Sequence, residues 1–416
     1  MKKQERKLFI VGAGISGLIA AHVLEGHGYS PVIIDSNDRV GGRVKTDVID
    51  GYQLDHGFQV LLDAYPAVQK YLDLEQLEVQ KYAPGACIFI SGKKYLIGDP
   101  FRDISLLIPT IFSKLGTFSD KLNVLKLNYH LKNKTVDDIF NRKENTTLEY
   151  LKETGFSENF INEFFMPFFA GIFLEDDLNT SSRMFEFVYK MFGKGLAVVP
   201  KSGMEAIPKQ LSQKLERTTF MFNEEVSFIK DGELTLSSGQ KLTSHYTIVA
   251  TEASHLIKSL RKQSVTWRSC DTLYYEVDST VNSKALIGLV PDRDILINNI
   301  CYPTLLATES KPRKHLLSVT IVKRHHLSSV DLVQQVAKEL KEHCSITILR
   351  FIKHYNIPKA LPKLNNLQYE MSPSETRLTS TIFLAGDTQL NASLNAAMIA
   401  GERAAMAVVE TINKRH

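Results

Sequence analysis

Short apolar runs alternate with helical patterns near the start of the chain, and this order predicts a β–α–β unit. Leu8–Val11 is a run of four apolar residues, as in strands that are buried on both faces of a parallel sheet. Residues 18–28 follow a helical pattern that ends at Gly26 and Gly28. A second apolar run, Pro31–Ile34, predicts a neighbouring strand. Such units build open sheets with helices packed on their faces.

The same pattern returns at the far end of the chain. Ile382–Ala385 predicts a buried strand, which is followed by a glycine turn and, from Leu394 onward, by a helix of small side chains. One face of this helix is expected to pack against the N-terminal helix, because apolar residues recur on it at helical spacing. These residues are Met398, Ala404 and Ala405.

Between the two ends the pattern changes from strands to helices and back. Residues 86–98 predict a β-hairpin, and the stretch from Pro100 to about Met191 is mostly helical. Phe220–Thr251 predicts three antiparallel strands that return to the main sheet at Thr247–Ala250. Residues 265–365 contain further strands, which we expect to form a second sheet.

The helical region carries an unusual concentration of phenylalanine between residues 160 and 173. Two interpretations stay open: these rings line a pocket for an apolar substrate, or they form a helical core around Pro167. Aromatic side chains bury large areas in either setting. The residues concerned are Phe164, Phe165, Phe168 and Phe169.

Three glycines after the first strand predict a phosphate-binding turn. Gly12, Gly14 and Gly17 have the spacing GxGxxG, with Ile15 and Ser16 between them. The glycines allow a tight turn, close approach of the backbone to a pyrophosphate, and close packing of helix on strand. The helix that follows offers unpaired amides to the phosphates.

Asp35 supports the nucleotide interpretation, because it ends the second strand 18 residues after Gly17. An acidic residue at this place accepts hydrogen bonds from a ribose diol. Its charge disfavours NADP, since it would repel a 2′-phosphate. These residues alone leave NAD and FAD as alternatives.

The composition argues against nucleic-acid binding, a disulfide framework and a metal site. The 416 residues suffice for two or three domains, and a net charge of +4 gives no case for nucleic acid. The four cysteines lie far apart, so we expect a reducing, cytoplasmic setting rather than a disulfide framework. Metal-site motifs are missing from the sequence, so no metal is expected.

The segment Ile104–Phe118 raises the question of a membrane. It is apolar and is followed by lysines at 121, 126, 132 and 134, which suits peripheral membrane contact or the gate of a channel. A solvated helix pair is the alternative. No run of 18 uninterrupted apolar residues predicts a transmembrane helix.

Beyond Asp35 the sequence DSNDRVGGRVKT contains Ser36, Arg39, the pair Gly41-Gly42 and Arg43. The run from Val11 to Thr46 closely resembles the flavoprotein superfamily of amine oxidases, protoporphyrinogen oxidases and phytoene desaturases. The resemblance implies FAD, with Gly42 and Arg43 along its pyrophosphate and Arg39 near the ribose and pyrophosphate.

Three further segments match the same superfamily. In YQLDHGFQVLL a glycine is expected to approach the isoalloxazine ring, with His56 as a structural residue beside it. Val226 matches a valine that exchanges backbone hydrogen bonds with adenine. In the C-terminal signature, the aspartate contacts the ribityl and phosphate portion and helix-start amides face the flavin, although Ala392 and Ala396 stand where glycines are common. The residues implied are Gly57, Phe58, Gln59, Val226, Gly386, Asp387, Ser393, Leu394 and Asn395.

The resemblance also implies the fold. We expect an α/β protein with a Rossmann-like FAD-binding domain of the glutathione-reductase type and a mixed α+β substrate domain. The FAD-binding domain is expected to comprise residues 1–85, 198–262 and 366–416. The substrate domain would comprise residues 86–197 and 263–365. Non-covalent flavin is expected, since the nearest upstream cysteine, Cys344, lies well before the C-terminal signature.

The implied function is dehydrogenation of a lipophilic or weakly polar small molecule, with hydride transfer to flavin N5 and electrons passing to oxygen or a quinone. Flavin amine oxidation is the alternative, although MSPSETRLTSTIF contains no Tyr or Trp where amine oxidases usually present an aromatic residue to the flavin. A flavin-free lipid- or prenyl-binding role, as in Rab GDP-dissociation inhibitors, and a non-redox mutase remain further alternatives. No catalytic base can be assigned; Lys284 is a guess for a water-holding lysine.

Overall fold

Strands occur at both ends and in the middle of the chain. The computed structural model describes residues 5–98, 115–310 and 312–414. The strands are β1 (Leu8–Val11), β2 (Val32–Ile34), β3 (Thr46–Ile49), β4 (Tyr52–Asp55), β5 (Leu61–Leu62), β6 (Gln80–Lys81), β7 (Gly85–Ile90), β8 (Lys93–Gly98), β9 (Ala197–Val199), β10 (Thr219–Met221), β11 (Val226–Lys230), β12 (Glu233–Leu236), β13 (Lys241–Thr243), β14 (Tyr246–Val249), β15 (Thr266–Val277), β16 (Ile287–Leu289), β17 (Ile297–Cys301), β18 (His315–Ile321), β19 (Arg350–Lys363) and β20 (Ile382–Leu384).

Helices cluster in the region between β8 and β9. Several of them begin at a threonine whose side chain accepts a hydrogen bond from an amide three residues on, with an acidic residue bonding back, as at Thr117 and Asp120. The helices are α1 (Ile15–Gly26), α2 (Pro66–Tyr71), α3 (Phe118–Asn133), α4 (Val136–Phe140), α5 (Thr147–Glu153), α6 (Glu158–Phe160), α7 (Met166–Phe173), α8 (Ser182–Lys194), α9 (Ala206–Gln213), α10 (Ser329–Cys344) and α11 (Leu394–Asn413).

A parallel five-stranded sheet joins distant parts of the chain. Its strand order is β10-β2-β1-β14-β20, and every neighbouring pair is parallel. The predicted strands at both ends of the sequence therefore lie in one sheet. One detail of the prediction was wrong, because residues 219–221 leave the antiparallel unit and pair with β2. The antiparallel sheet consists of β11, β12 and β13.

Helices α1 and α11 pack directly on each other, as the small residues near the C-terminus predicted. Gly401 of α11 lies so close to α1 that a Cβ atom there would overlap the carbonyl oxygen of Ser16. Ser16 Oγ also donates a hydrogen bond of 2.6 Å to the carbonyl of Ala397. Met398, Ala404 and Ala405 are fully buried. The N-terminal and C-terminal segments thus form one layer on the parallel sheet.

The expected second sheet has the strand order β19-β15-β18-β17-β16-β7-β8 and includes the predicted hairpin β7–β8. One face of this sheet is apolar, with Leu273, Ile300 and Val319 packed in the same core as Val336 and Leu340 of α10. Because side chains alternate along a strand, the residues between these apolar positions point to the opposite face.

Most of the segment 104–118 lies outside the described residues. Its described continuation is α3, where the side chains of Asn123, Leu127 and Leu131 are buried. Within the described ranges, the helices lack the length and apolar character needed to cross a membrane.

Candidate active site

A cavity of about 1340 Å³ lies where the parallel sheet, the second sheet and the helical region meet. Its wall contains most of the residues that the sequence singled out: Gly12, Gly14, Ile15, Ser16, Asp35, Ser36, Gly41, Gly42, Arg43, Gly57, Phe58, Gln59, Val226, Gly386, Asp387, Ser393 and Leu394. Gly17, Arg39 and Asn395 do not line it. Segments separated by more than three hundred residues therefore face one space.

The three glycines of the first turn have different surroundings. A Cβ atom at Gly17 would overlap the carbonyl oxygen of Gly12, and one at Gly12 would lie 2.8 Å from the carbonyl oxygen of Ala250. Gly12 also has a φ of 109°, which favours glycine. A Cβ atom at Gly14 would meet no protein atom within 4 Å. Gly12 and Gly17 thus serve packing, whereas Gly14 borders open cavity.

Asp35 lies at the end of β2 and is 9% exposed. Its Oδ2 accepts a hydrogen bond of 2.6 Å from the amide of Ala13, and its Oδ1 accepts from the amide and side chain of Asn37. The carboxylate thus fixes the glycine turn and still lines the cavity. Asn37 also lines the cavity, and sequence analysis did not single it out.

Arg39 is held away from the cavity by two carboxylates. Its Nε lies 3.1 Å from Glu205 Oε1, and its Nη2 lies 3.0 Å from Asp47 Oδ1. These carboxylates raise the pKa of Arg39 against the opposing effect of desolvation. The contact of Arg39 with the ribose and pyrophosphate stays a prediction. Lys45 lines the cavity nearby and was not singled out.

Arg43 joins the two ends of the chain at the cavity wall. Its Nη2 lies 2.6 Å from Oδ1 of Asp387, whose side chain is 8% exposed. Its Nη1 donates to the carbonyl of Ala360, and its guanidinium lies 5.2 Å from the centre of the Trp267 ring. The glycine pair before Arg43 and the turn at Gly386 are therefore tied by one ion pair.

The N-terminus of α11 opens toward the cavity. Ser393 Oγ caps it by accepting a hydrogen bond of 3.0 Å from the amide of Ala396. Ala392 precedes it with a φ of 62°, a left-handed conformation that costs an alanine roughly 1–2 kcal/mol. Asn395 turns away, and its Oδ1 accepts from the amide of Ala67. The backbone at Ala392 thus has a conformation that glycine favours, although the residue is alanine.

Gly57 lines the cavity, and its backbone has a φ of 94°, a conformation that favours glycine. His56 lines the cavity too, but its Nε2 lies 2.8 Å from Asp47, which also accepts a hydrogen bond from Tyr355. The His56 ring contacts the Tyr355 ring in a tilted arrangement, with the ring centres 4.5 Å apart. Burial raises the pKa of the preceding Asp55 to about 6. His56 is therefore held by Asp47 and Tyr355.

In the phenylalanine-rich run, some rings line the cavity and others lie in the core, so each of the two interpretations holds for part of the run. Phe164 and Phe168 line the cavity and stack on each other at 5.7 Å. Phe165 and Phe169 are buried in the core. Each pair is separated by four residues, so the two pairs occupy neighbouring faces of the helical segment. Phe160, Ile172, Tyr189 and Phe192 extend this lining, which we call the aromatic wall.

The cavity fits a dinucleotide together with a substrate. Its volume exceeds the roughly 300–1,000 Å³ of a pocket for one drug-sized ligand. At the start of α1 no side chain caps the helix, so its first amides are left for a ligand, and the Cβ position of Gly14 is open. Lys284 does not line the cavity, so the guess of a water-holding lysine at this position gains no support.

Comparison with known families identifies the chain. The family model for flavin containing amine oxidoreductases matches residues 15–409. The chain belongs to this family. Membership confirms the expectation of a FAD-dependent oxidoreductase, and FAD is its cofactor. It leaves the flavin-free binding role without support.

Curated relatives of this flavin oxidoreductase are distant. L-amino-acid oxidase BmooLAAO-I from Bothrops moojeni is 24% identical over 344 residues, which cover 72% of this chain and 66% of that protein. An L-amino-acid oxidase from Pseudechis australis is 24% identical over 337 residues, covering 71% of this chain and 63% of that protein. The matched part is thus just under two thirds of these relatives' length.

Solved structures share the fold along nearly the whole chain. A provisionally assigned protoporphyrinogen oxidase from Exiguobacterium sp. 255-15 has a TM-score of 0.72 and 18% identity, covering 99% of this chain and 100% of that one. Cyclohexylamine oxidase from Brevibacterium oxydans has a TM-score of 0.70 and 16% identity, covering 98% and 99%. The chain therefore has the mixed α/β fold of these flavoproteins.

Proposed function

We propose that this protein dehydrogenates an apolar or weakly polar small molecule by hydride transfer to FAD held in the cavity. When bound, the flavin supplies a two-electron acceptor at N5. One observation carries the proposal: the glycine turn, the Arg43–Asp387 pair and the aromatic wall line a single cavity. The cavity-lining residues that the sequence singled out are the proposed FAD contacts.

The proposed division of labour follows the topology. Residues 1–85, 198–262 and 366–416 would form a FAD-binding domain of the glutathione-reductase type, because they contribute the parallel sheet. Residues 86–197 and 263–365 would form the substrate domain, because they contribute the second sheet and the aromatic wall.

Residues of the chain would contribute to this reaction in three ways. The amides at the start of α1 would bind phosphate oxygens, with Gly14 leaving room for them. The amides at the start of α11 would place a partial positive charge toward the cofactor and so favour its anionic reduced form. Phe164 and Phe168 would exclude water and orient the substrate.

The distribution of carboxylates favours a neutral substrate. Five carboxylates line the described cavity, and all follow strands of the parallel sheet at its carboxyl ends: Asp35, Glu224, Glu225, Glu252 and Asp387. Among the described residues, the aromatic wall contributes no carboxylate that could bind an ammonium group. An apolar body therefore matches this end of the cavity better than a cationic one.

Amine oxidation is the second candidate, and the relatives favour it, since they include L-amino-acid oxidases and cyclohexylamine oxidase. Anaerobic bleaching of the flavin separates the candidates. We expect polyenes, porphyrinogens or sterol-like lipids to reduce the flavin, while putrescine, cyclohexylamine and L-amino acids leave it oxidised. Bleaching by the amines alone would reverse the preference. A colourless preparation that FAD cannot reconstitute would contradict both.

Peripheral contact with lipid is a further part of the proposal. Four large apolar residues of α3 are exposed at spacings of four, three and four residues, opposite the buried face of the helix. Lysines 121, 126 and 132 flank this apolar stripe, and the helix's carboxylate, Asp120, is buried. An apolar stripe between lysines suits an anionic lipid surface. The stripe comprises Phe118, Leu122, Leu125 and Tyr129.

Leu125 belongs both to this stripe and to the cavity wall. Contact of α3 with lipid would therefore place one opening of the cavity at the membrane surface, where an apolar substrate is concentrated.

A further inference from the structure

A row of polar residues crosses the face of the second sheet that α10 does not cover. In neighbouring strands Asn299 pairs with Thr320, Thr320 pairs with Thr272, and Thr272 pairs with Tyr355. Residues paired in register point to the same face of a sheet. Asn299, Thr320 and Tyr355 line the cavity, whereas Thr272 does not. On the other side of Asn299 the row continues with apolar Leu289.

Three members of this row, Asn299, Thr320 and Thr272, are buried without a hydrogen-bond partner, and of these three only Asn299 and Thr320 line the cavity. Asn299 is 1% exposed and Thr320 is 3% exposed. Neither Asn299 Nδ2 nor Thr320 Oγ1 forms a hydrogen bond within the described part of the chain. Buried polar groups are nearly always paired in folded proteins, and an unpaired one in a residue that lines a cavity is explained by a bound water, ion or ligand atom.

The neighbouring Asn298 fixes which atom of Asn299 is left over. Asn298 Nδ2 donates to the carbonyl of Pro167 at 3.0 Å and to Oδ1 of Asn299 at 2.9 Å. A backbone carbonyl can only accept, so this contact sets the orientation of both amides. The unpaired atom of Asn299 is therefore its donor nitrogen.

Two local features of the backbone bring the asparagines to this place. The register of β17 against β18 shifts between Ile297 and Asn299, and such bulges re-aim side chains. Helix α7 approaches through Gly171, where a Cβ atom would lie 2.9 Å from Asn299 Oδ1. Asn298 and Asn299 thus lie directly beside α7, the helix that carries Phe168.

The polar groups of Asn299 and Thr320 determine which class of ligand could bind beside them. Asn299 offers an N–H donor, and Thr320 offers a hydroxyl that donates or accepts. The row contains no cation, so it matches a neutral oxygen rather than a carboxylate. A carbonyl or hydroxyl oxygen would satisfy both groups, while the apolar body of the same molecule contacts the aromatic wall.

We propose that Asn299 and Thr320 form a subsite that binds a neutral carbonyl or hydroxyl oxygen of the substrate. The inference rests on the proposed function and narrows its substrate class to apolar molecules that carry one such oxygen. The oxygen would fix the orientation of a molecule that the aromatic rings hold without directional contacts.

Acetophenone and α-methylstyrene are suitable probes of this subsite. They have nearly the same shape, but acetophenone has a carbonyl oxygen where α-methylstyrene has a CH₂ group that cannot accept a hydrogen bond. Their affinities for the flavin-containing protein can be measured from shifts of the flavin absorption bands. We expect acetophenone to bind at least about tenfold more tightly, as a site with buried unpaired donors discriminates against an analogue that lacks the acceptor. Thr320→Val and Asn299→Leu should each bring this ratio close to one.

Thr272→Val is the matched control, since Thr272 lies in the same row but not on the cavity wall. It should leave the ratio unchanged. Thr320→Val should also keep or raise Tm, because valine has a similar shape and removes an unpaired hydroxyl. A structural hydroxyl would lower Tm instead.

Equal affinities of the two probes for the wild type would overturn the subsite. An unchanged ratio in both Thr320→Val and Asn299→Leu would also overturn it. Both results would be obtained with FAD bound, so they leave the proposed function standing. Failure of the protein to bind FAD contradicts the proposed function separately.

Discussion

Arg43 and Asp387 are separated by 344 positions in the sequence, yet Nη2 of Arg43 and Oδ1 of Asp387 lie 2.6 Å apart. Asp387 is buried and Arg43 is partly exposed. The ion pair joins the segment after β2 to the turn after β20, and both segments line the cavity. The ion pair thus connects two remote segments of the proposed cofactor site.

Asp387→Asn should weaken FAD binding at least about tenfold. The substitution keeps the size of the side chain but removes the charge that positions Arg43, and charge-assisted bonds exceed neutral ones in strength. Titration of the apoprotein with FAD, followed by flavin fluorescence, measures the change. Asp278→Asn removes the exposed pair with Lys314 and serves as the control, with FAD affinity unchanged. Wild-type affinity in Asp387→Asn would contradict a role of the pair.

Asp55 should make the protein less stable as the pH rises from 4 to 6. Burial raises the pKa of Asp55 to about 6, above the usual value near 4 for an exposed aspartate. Between these values the folded state binds more protons than the unfolded state, so the free energy of unfolding falls with increasing pH. Asp55→Asn keeps an acceptor for Thr46 and for the amide of Met204.

Urea unfolding of both proteins across this pH range tests the assignment. Wild type should lose roughly 2 kcal/mol more than Asp55→Asn between pH 4 and pH 6. Parallel stability curves would show that the ionisation of Asp55 is not perturbed by folding.

The apolar stripe on α3 should bind anionic lipid. Leu122→Ser and Tyr129→Ser should each reduce co-sedimentation with phosphatidylglycerol vesicles several-fold, because each removes exposed apolar surface next to lysines. Val330→Ser changes an apolar residue of α10 that is 67% exposed, between Leu122 at 41% and Tyr129 at 74%, and should have no effect. Equal binding of all variants, or none by the wild type, would exclude this surface. Concentration-dependent dimerisation through the stripe would identify a second copy as its partner instead.

Local patterns were sufficient to predict the elements that form the nucleotide turn. Gly12, Gly14 and Gly17 have a spacing that reflects backbone geometry within one β–α unit, so a short stretch of sequence specifies it. The meeting of α1 with α11 was also predictable, since small residues such as Ala404 and Ala405 mark a close helix contact. Family resemblance then extended the prediction to the GGR segment.

Side-chain partners from distant segments could not be predicted in this way. The ion pair of Arg39 with Glu205 was not predicted, because Glu205 belongs to a remote part of the chain. Phe164 and Phe165 are adjacent in sequence, but they lie on different faces of the helical segment, so that Phe164 lines the cavity and Phe165 is buried in the core. Asn299 and Thr320 belong to no motif, because their pairing depends on a strand register that the sequence does not display.

The central claim is that the cavity behind the first glycine turn binds FAD, and Gly14→Ala tests it most directly. A methyl group at Gly14 would meet no protein atom within 4 Å but would enter the proposed phosphate space. Gly26→Ala on the same helix, with similarly open surroundings, is the control. We predict that Gly14→Ala keeps the Tm of the wild-type apoprotein but binds FAD at least about tenfold more weakly, whereas Gly26→Ala binds FAD normally. Wild-type FAD affinity in a folded Gly14→Ala protein would contradict the account.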